Sequence, residues 1–274
     1  MSFTFKQYPR IAITVILAGI VSACEQSRLP DVGQPSREPL ILHSSLRTRI
    51  NIVPNLSTAR NVILFIGDGM GVTTVTAARI FDGQSKGMSG EENVLPFETF
   101  PNVALIKTYT ANQMVADSAG SATAMNTGVK TRAGVIGIGP QAYRRSCEGA
   151  LAYPLTTLGE MAEQNGKATG IVTTARITHA TPAAVYAHSA ERYWESDRFL
   201  PEADWEMGCR DIAYQLAHFS SGDGIEVMFG GGRREFYGSD FGGNRLSPED
   251  DLVSIWAEGA RIDHGHHAGI AGYA

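Results

Sequence analysis

The sequence predicts an α/β fold built on a parallel sheet. Three short stretches rich in apolar residues predict it, over residues 62–66, 168–174 and 225–229, the first ending at Gly67 and the last lying between Gly224 and Gly230. The first, apolar throughout rather than alternating, reads as a strand buried on both faces, and the third as another buried strand. Helical spacing lies between and after them. Val75, Ala78 and Arg79 mark a helix over 73–81, and residues 155–164 a second, capped by Thr156 or Thr157, with Glu160 in its first turns and Gly166 past its end. Ser247 to Asp250 reads as the start of another, with Leu252, Ile255 and Trp256 as its apolar face. Residues 84–93 read as a loop and 103–109 as a further strand.

Charge excludes one class of function. With 23 basic and 28 acidic residues among 274, the net charge is −5. A nucleic-acid binder should show a basic excess. The 30 glycines and 43% hydrophobic content fit a globular enzyme with functional loops.

The N-terminus carries an export signal. Lys6 and Arg10 precede an apolar run over 11–21, too short to span a bilayer, and Val21-Ser22-Ala23-Cys24 follows. Small residues before a cysteine resemble the lipobox of bacterial lipoproteins. That resemblance implies lipidation of Cys24 and a periplasmic or outer-membrane location; the alternative is an ordinary signal with a chance cysteine. Residues 1–23 are thus expected to be a lipoprotein-type signal peptide. Residues 24–57, with Pro30, Pro35, Pro39 and Pro54 among polar residues, read as a tether or N-terminal arm. Such an arm could reach a partner subunit in a homodimer. Cys147 and Cys209 remain, an even number in an oxidising compartment, and pair as a disulfide or stay as buried thiols.

Four stretches carry chemistry. In the first, Asp68 stands between Gly67 and Gly69 just past the first strand, where open α/β sheets bind ligands. A carboxylate there can hold a metal, or simply form a turn or cap. The second, residues 115–128, is crowded with Ala, Ser and Thr, which lets a helix pack tightly. Asp117 and Ser118 at its front place a hydroxyl at a helix N-terminus, where the dipole favours an anion. Either residue also serves as a plain N-cap. The third follows the strand at 168–174. His179 and Thr181, two apart, project to one side of an extended segment, and Pro182 opens a helix. Arg192 comes next, between Glu191 and Tyr193, as a stacked surface residue or a ligand clamp. In the last, Glu258, Asp263, His264, His266 and His267 lie within ten residues. Asp263 and His267, four apart, share one face of a helical turn and suit one ion.

Taken in order, Gly67-Asp68-Gly69-Met70-Gly71, Val115 to Ala124, His179-Ala180-Thr181-Pro182-Ala183 and Glu258 to His267 resemble the motifs of the alkaline phosphatase family. The resemblance runs from about residue 59 to 271. It implies a three-layer α/β sandwich with a central, largely parallel sheet, and phosphomonoester hydrolysis at two zinc sites and one magnesium site. Asp68 would bridge a zinc and the magnesium. Ser118 would be the nucleophile, forming a phosphoserine that water hydrolyses. Thr181 and Glu258 would complete the protein ligands of the magnesium, with His179 beside them. Asp263 and His267 would bind the other zinc. Arg192 matches the arginine that clamps phosphate oxygens, and Cys147 and Cys209 sit where animal-type members carry a disulfide. Related sulfatases and phosphodiesterases share the sheet but lack the Asp117-Ser118 motif.

The sequence also departs from the family. Trp256-Ala257 runs straight into Glu258, where the family has several further tens of residues, so an internal deletion is expected near residue 257. Residues 58–274 then form a partial alkaline phosphatase domain. No match appears for the Asp-His pair beside the serine or for the last zinc histidine. Both zinc sites are incomplete by this carry-over, and the alternative function is a non-catalytic remnant.

Overall fold

A computed structural model describes residues 58–264 and 270–271, with side chains to Glu258. The signal peptide, Cys24, the arm over 24–57 and His267 lie outside the described residues, as does the side chain of Asp263. The described residues fall into two units, Thr58 with Val94–Asn102, and Ala59–Asn93 with residues 103–264 and 270–271. In the first, Pro96–Thr99 forms a 3-10 turn whose Glu98 accepts the Leu95 N–H at 2.8 Å. Every element below belongs to the second.

Helix α1 spans Val72–Ser85, α2 Ser118–Thr127, α3 Cys147–Ala152 and α4 Leu158–Gln164. Strand β1 spans Gly170–Arg176 and leads into the short α5, Ala180–Ala183. Helices α6 (Glu202–Met207) and α7 (Ile212–Ala217) precede β2, Val227–Gly231. Helix α8 covers Leu252–His264, and β3 covers Ile270–Ala271. The three strands lie in the order β1-β2-β3 and all pair in parallel. Gly170 faces Val227 and Ile171 faces Met228, with an irregularity between Val172 and Arg176.

Local chemistry sets the helix ends. Thr157 caps α4 in a reciprocal box with Glu160: the Thr157 hydroxyl accepts the Glu160 N–H at 3.1 Å, and the Glu160 carboxylate accepts the Thr157 N–H at 2.7 Å. Helix α8 starts later than the sequence predicts. Residues 247–250 are used in a turn, and Asp251 accepts the Ser254 N–H at 3.0 Å. Leu252 and Trp256 are buried on this helix as expected, while Ile255 is exposed.

Alanines of α2 and α5 pack in the main core. Ala119, Ala122, Ala180 and Ala183 are all buried there, and the two helices are in contact. Small side chains let their backbones approach closely. Gly120 extends this, since a Cβ there would meet Thr110 at 2.7 Å.

Two expected strands are corrected. Residues 62–66 join no ladder, and Val62, Ile63 and Phe65 are 86%, 79% and 85% exposed. Residues 103–109 also lack regular structure, with Val103, Leu105 and Ile106 exposed. A strand needs a neighbour for its N–H and C=O groups, and none lies beside either segment among the described residues. Burial on both faces fails for β2 as well. Ile171 and Met228 are buried on one side of the sheet, while Val172 and Phe229 are exposed.

A second buried cluster surrounds the Cys147–Cys209 disulfide, whose Cα atoms are 5.8 Å apart. It ties α3 to the chain just before α7 across a separation of 62 residues. Loop entropy then stabilises the fold by about 4 kcal/mol. Replacing both cysteines by serine is expected to lower the unfolding free energy by roughly 2–5 kcal/mol in urea titrations. A wild-type midpoint in the double variant would contradict that role.

Candidate active site

The site forms where three loops meet the ends of helices. Asp68 sits in the turn before α1, Ser118 opens α2 and Thr181 lies in α5. The Ser118 hydroxyl donates to Asp68 Oδ1 at 2.9 Å, and the Thr181 hydroxyl donates to Asp68 Oδ2 at 2.7 Å. One carboxylate thus gathers hydroxyls 50 and 113 residues away in sequence. The Thr181 bond first, with the Ser118 bond and the charge of Arg192, outweighs desolvation and holds Asp68 below the ordinary carboxylate range. Asp68 is therefore ionised at neutral pH.

Asp117 does more than cap a helix. Its Oδ1 accepts the Gly120 N–H at 3.0 Å, and its Oδ2 accepts the Gly134 N–H at 2.9 Å and Arg192 Nη1 at 3.1 Å. The Arg192 side chain is mostly buried, its planar fork fixed from behind. The same guanidinium also lies beside the Tyr193 ring, its Cζ 5.5 Å from the centroid. Sequence reasoning missed Asp117 as the residue that positions Arg192. The only available signal was its place directly before Ser118.

His179 is the N-cap residue of α5, so Thr181 stands in a helical turn rather than in extended chain. Arg192 Nη2 lies 3.3 Å from His179 Nε2. A guanidinium only donates, so Nε2 accepts and the proton resides on Nδ1. That buried Nδ1 has no well-formed hydrogen bond among the described residues. Burial, then the charges of Arg192 and Arg176, hold the imidazole below its usual value and neutral at pH 7. The turn is braced by Arg176, which donates to Glu195 at 2.8 and 2.7 Å, and by the Thr178 hydroxyl at 2.7 Å from the same carboxylate.

Of the other predicted site residues, Glu258 is not brought into this group. Glu258 lies exposed on α8, with no hydrogen bond to Asp68 or Thr181. Asp263 belongs to the backbone of α8. Asp68 and Thr181 supply hard oxygen donors, a set that fits magnesium. For zinc the described residues offer Asp68 and Ser118, fewer than the three protein ligands of a catalytic site.

A family model described as alkaline phosphatase matches residues 59–251. The tissue-nonspecific alkaline phosphatase of Mus musculus is 47% identical over 209 residues, 76% of this chain and 38% of that protein. The alkaline phosphatase of Gadus morhua is 49% identical over 183 residues, covering 67% of this chain and 38% of that one. A cold-active alkaline phosphatase structure from Shewanella aligns with 69% of this chain and 37% of that chain, at 31% identity and a TM-score of 0.49. The chain spans about two fifths of the length of the curated relatives it matches.

Proposed function

This chain belongs to the alkaline phosphatase family, and from that premise we propose that it hydrolyses phosphomonoesters through a phosphoserine at Ser118. The observation that carries the reading is the convergence of Ser118 and Thr181 on Asp68, with Arg192 fixed beside them by Asp117.

The residues divide the work. Arg192 presents its fork to two non-bridging phosphate oxygens, and the N-terminus of α2 adds its dipole. Ser118 attacks phosphorus as its hydroxyl proton passes to solvent, the bond to the leaving oxygen breaks and that oxygen takes up a proton to depart as the alcohol. Water then attacks phosphorus, the serine oxygen leaves and regains a proton, and phosphate is released. Asp68 orients the serine hydroxyl; held below its usual range, this carboxylate is a weak base. Zinc and magnesium, when bound, would stabilise negative charge on the serine and leaving oxygens. Asp68 and Thr181 would hold the magnesium, with His179 beside it. Completing the zinc sites calls on Asp263 and His267 and on donors beyond the described residues.

Export as a lipoprotein anchored through Cys24 belongs to the same proposal, supported by the Lys6 to Cys24 signal pattern. Among the described residues, no helix is long and apolar enough to cross a membrane.

The clamp is tested without turnover. Arg192→Ala is expected to weaken inorganic phosphate binding roughly 10²–10⁴-fold in calorimetry, the scale of two charge-assisted hydrogen bonds. Arg192→Lys should recover only part, because a lysine cannot present the fork. Equal phosphate affinity in all three proteins would remove Arg192 from the site.

A further inference from the structure

Away from this site, a second group of acids converges from three places in the sequence. Glu163 lies in the last turn of α4, Asp223 in the loop before β2 and Glu226 at the foot of that strand. One oxygen from each lies within 4.8 Å of the others. Gly222 makes the approach possible: its φ is +60°, and a Cβ there would meet the Glu163 carbonyl oxygen at 2.6 Å. The Thr169 N–H donates to Glu226 Oε2 at 2.7 Å.

Glu163 is the unexpected member. It is only 2% exposed, and both its carboxylate oxygens are sealed from solvent without a well-formed hydrogen bond. The Thr169 hydroxyl oxygen is sealed and unsatisfied in the same way. Burial, joined by the charge of Glu226 and by the contact and charge of Asp223, outweighs the opposing contact of the Thr169 hydroxyl and pushes the Glu163 carboxyl up to about 7. Such a group needs a proton or a cation. Within 4.8 Å of one another, the three oxygens can all reach a calcium ion at about 2.3–2.6 Å, and an all-protein set of carboxylates suits calcium, since magnesium dehydrates reluctantly and keeps several waters.

We propose that Glu163, Asp223 and Glu226 bind a hard divalent cation of calcium size, which pins the loop before β2 to the end of α4. The buried Thr169 hydroxyl, in contact with Glu163, is a further oxygen donor beside the group. The site stands apart from the phosphatase reading and does not depend on it.

The test is calorimetric titration of the full chain with calcium chloride at pH 8, where Glu163 is ionised, after loading with zinc and magnesium. One equivalent of calcium is expected to bind and to raise the melting temperature. The Asp223→Asn, Glu226→Gln double variant changes side chains that are not fully buried and should fold. It is expected to lose affinity by more than the roughly 10–100-fold typical of outer-shell partners. Glu163→Gln should also lose the calcium response while melting higher than wild type without calcium, since its buried charge is gone. Wild-type protein indifferent to calcium, or a double variant that binds as wild type does, overturns the proposal. Indifference together with a more stable Glu163→Gln would show that the site holds a proton.

Discussion

Ser118→Ala is expected to lower hydrolysis of p-nitrophenyl phosphate at mildly alkaline pH, with zinc and magnesium supplied, by at least about 10³-fold, the scale seen when an activated serine is removed. The loss should be chemical rather than structural. Asp117 caps α2 through its own carboxylate, and the serine side chain holds no part of the core. The melting temperature should therefore stay close to wild type. Turnover that survives in the variant would assign the chemistry to another group. Turnover absent from the wild type as well would favour a chain that keeps the fold of the site without its activity.

Arg245→Ala is expected to cost more stability than any substitution in the active site, about 3–5 kcal/mol. Its guanidinium is 2% exposed and reaches three acids: Asp211 at 3.0 and 3.2 Å, Asp250 at 2.9 Å and Asp197 at 3.3 Å. Asp211 is fully buried and also accepts the Tyr214 N–H at 2.9 Å as the cap of α7. Burial raises the Asp211 carboxyl even with Arg245 beside it. Removing the arginine leaves that carboxylate in the interior without its counter-charge. Urea unfolding of Arg245→Ala beside Asp250→Ala separates the effects. Asp250 is partly exposed, and its loss should cost about 1 kcal/mol or less, as for a surface pair. Equal costs would mean that the network acts as one unit instead of resting on the Arg245–Asp211 pair.

Local features were the most legible in the sequence. The cap of α4 at Thr157, the helix opening at Ser118 and the turn around Asp68 all follow from short-range chemistry that a few residues specify. Pairing was not legible. The apolar pattern of 62–66 predicts a buried strand, yet the segment is exposed, because burial depends on neighbours that no local pattern encodes. Ile255 fell on the expected apolar face of α8 and is exposed, because helical spacing sets an angle and not what covers it. The polar clusters were hidden for another reason. Asp117 is joined to Arg192 across 75 residues, Arg245 to Asp211 across 34, and Glu163 meets acids some sixty positions further on. Spacing along the chain carries no trace of such meetings. The motif resemblance supplied the roles of Asp68, Ser118, Thr181 and Arg192; the folded geometry added Asp117 and the neutral His179.

The central claim is that Ser118 carries the phosphate between substrate and water. The direct measurement is to mix the full chain, loaded with zinc and magnesium, with p-nitrophenyl phosphate, quench in acid and map the peptides by mass spectrometry. Phosphate on Ser118, absent from Ser118→Ala, is the predicted result. Hydrolysis with no phosphate trapped on Ser118, or phosphate on another residue, would contradict the account.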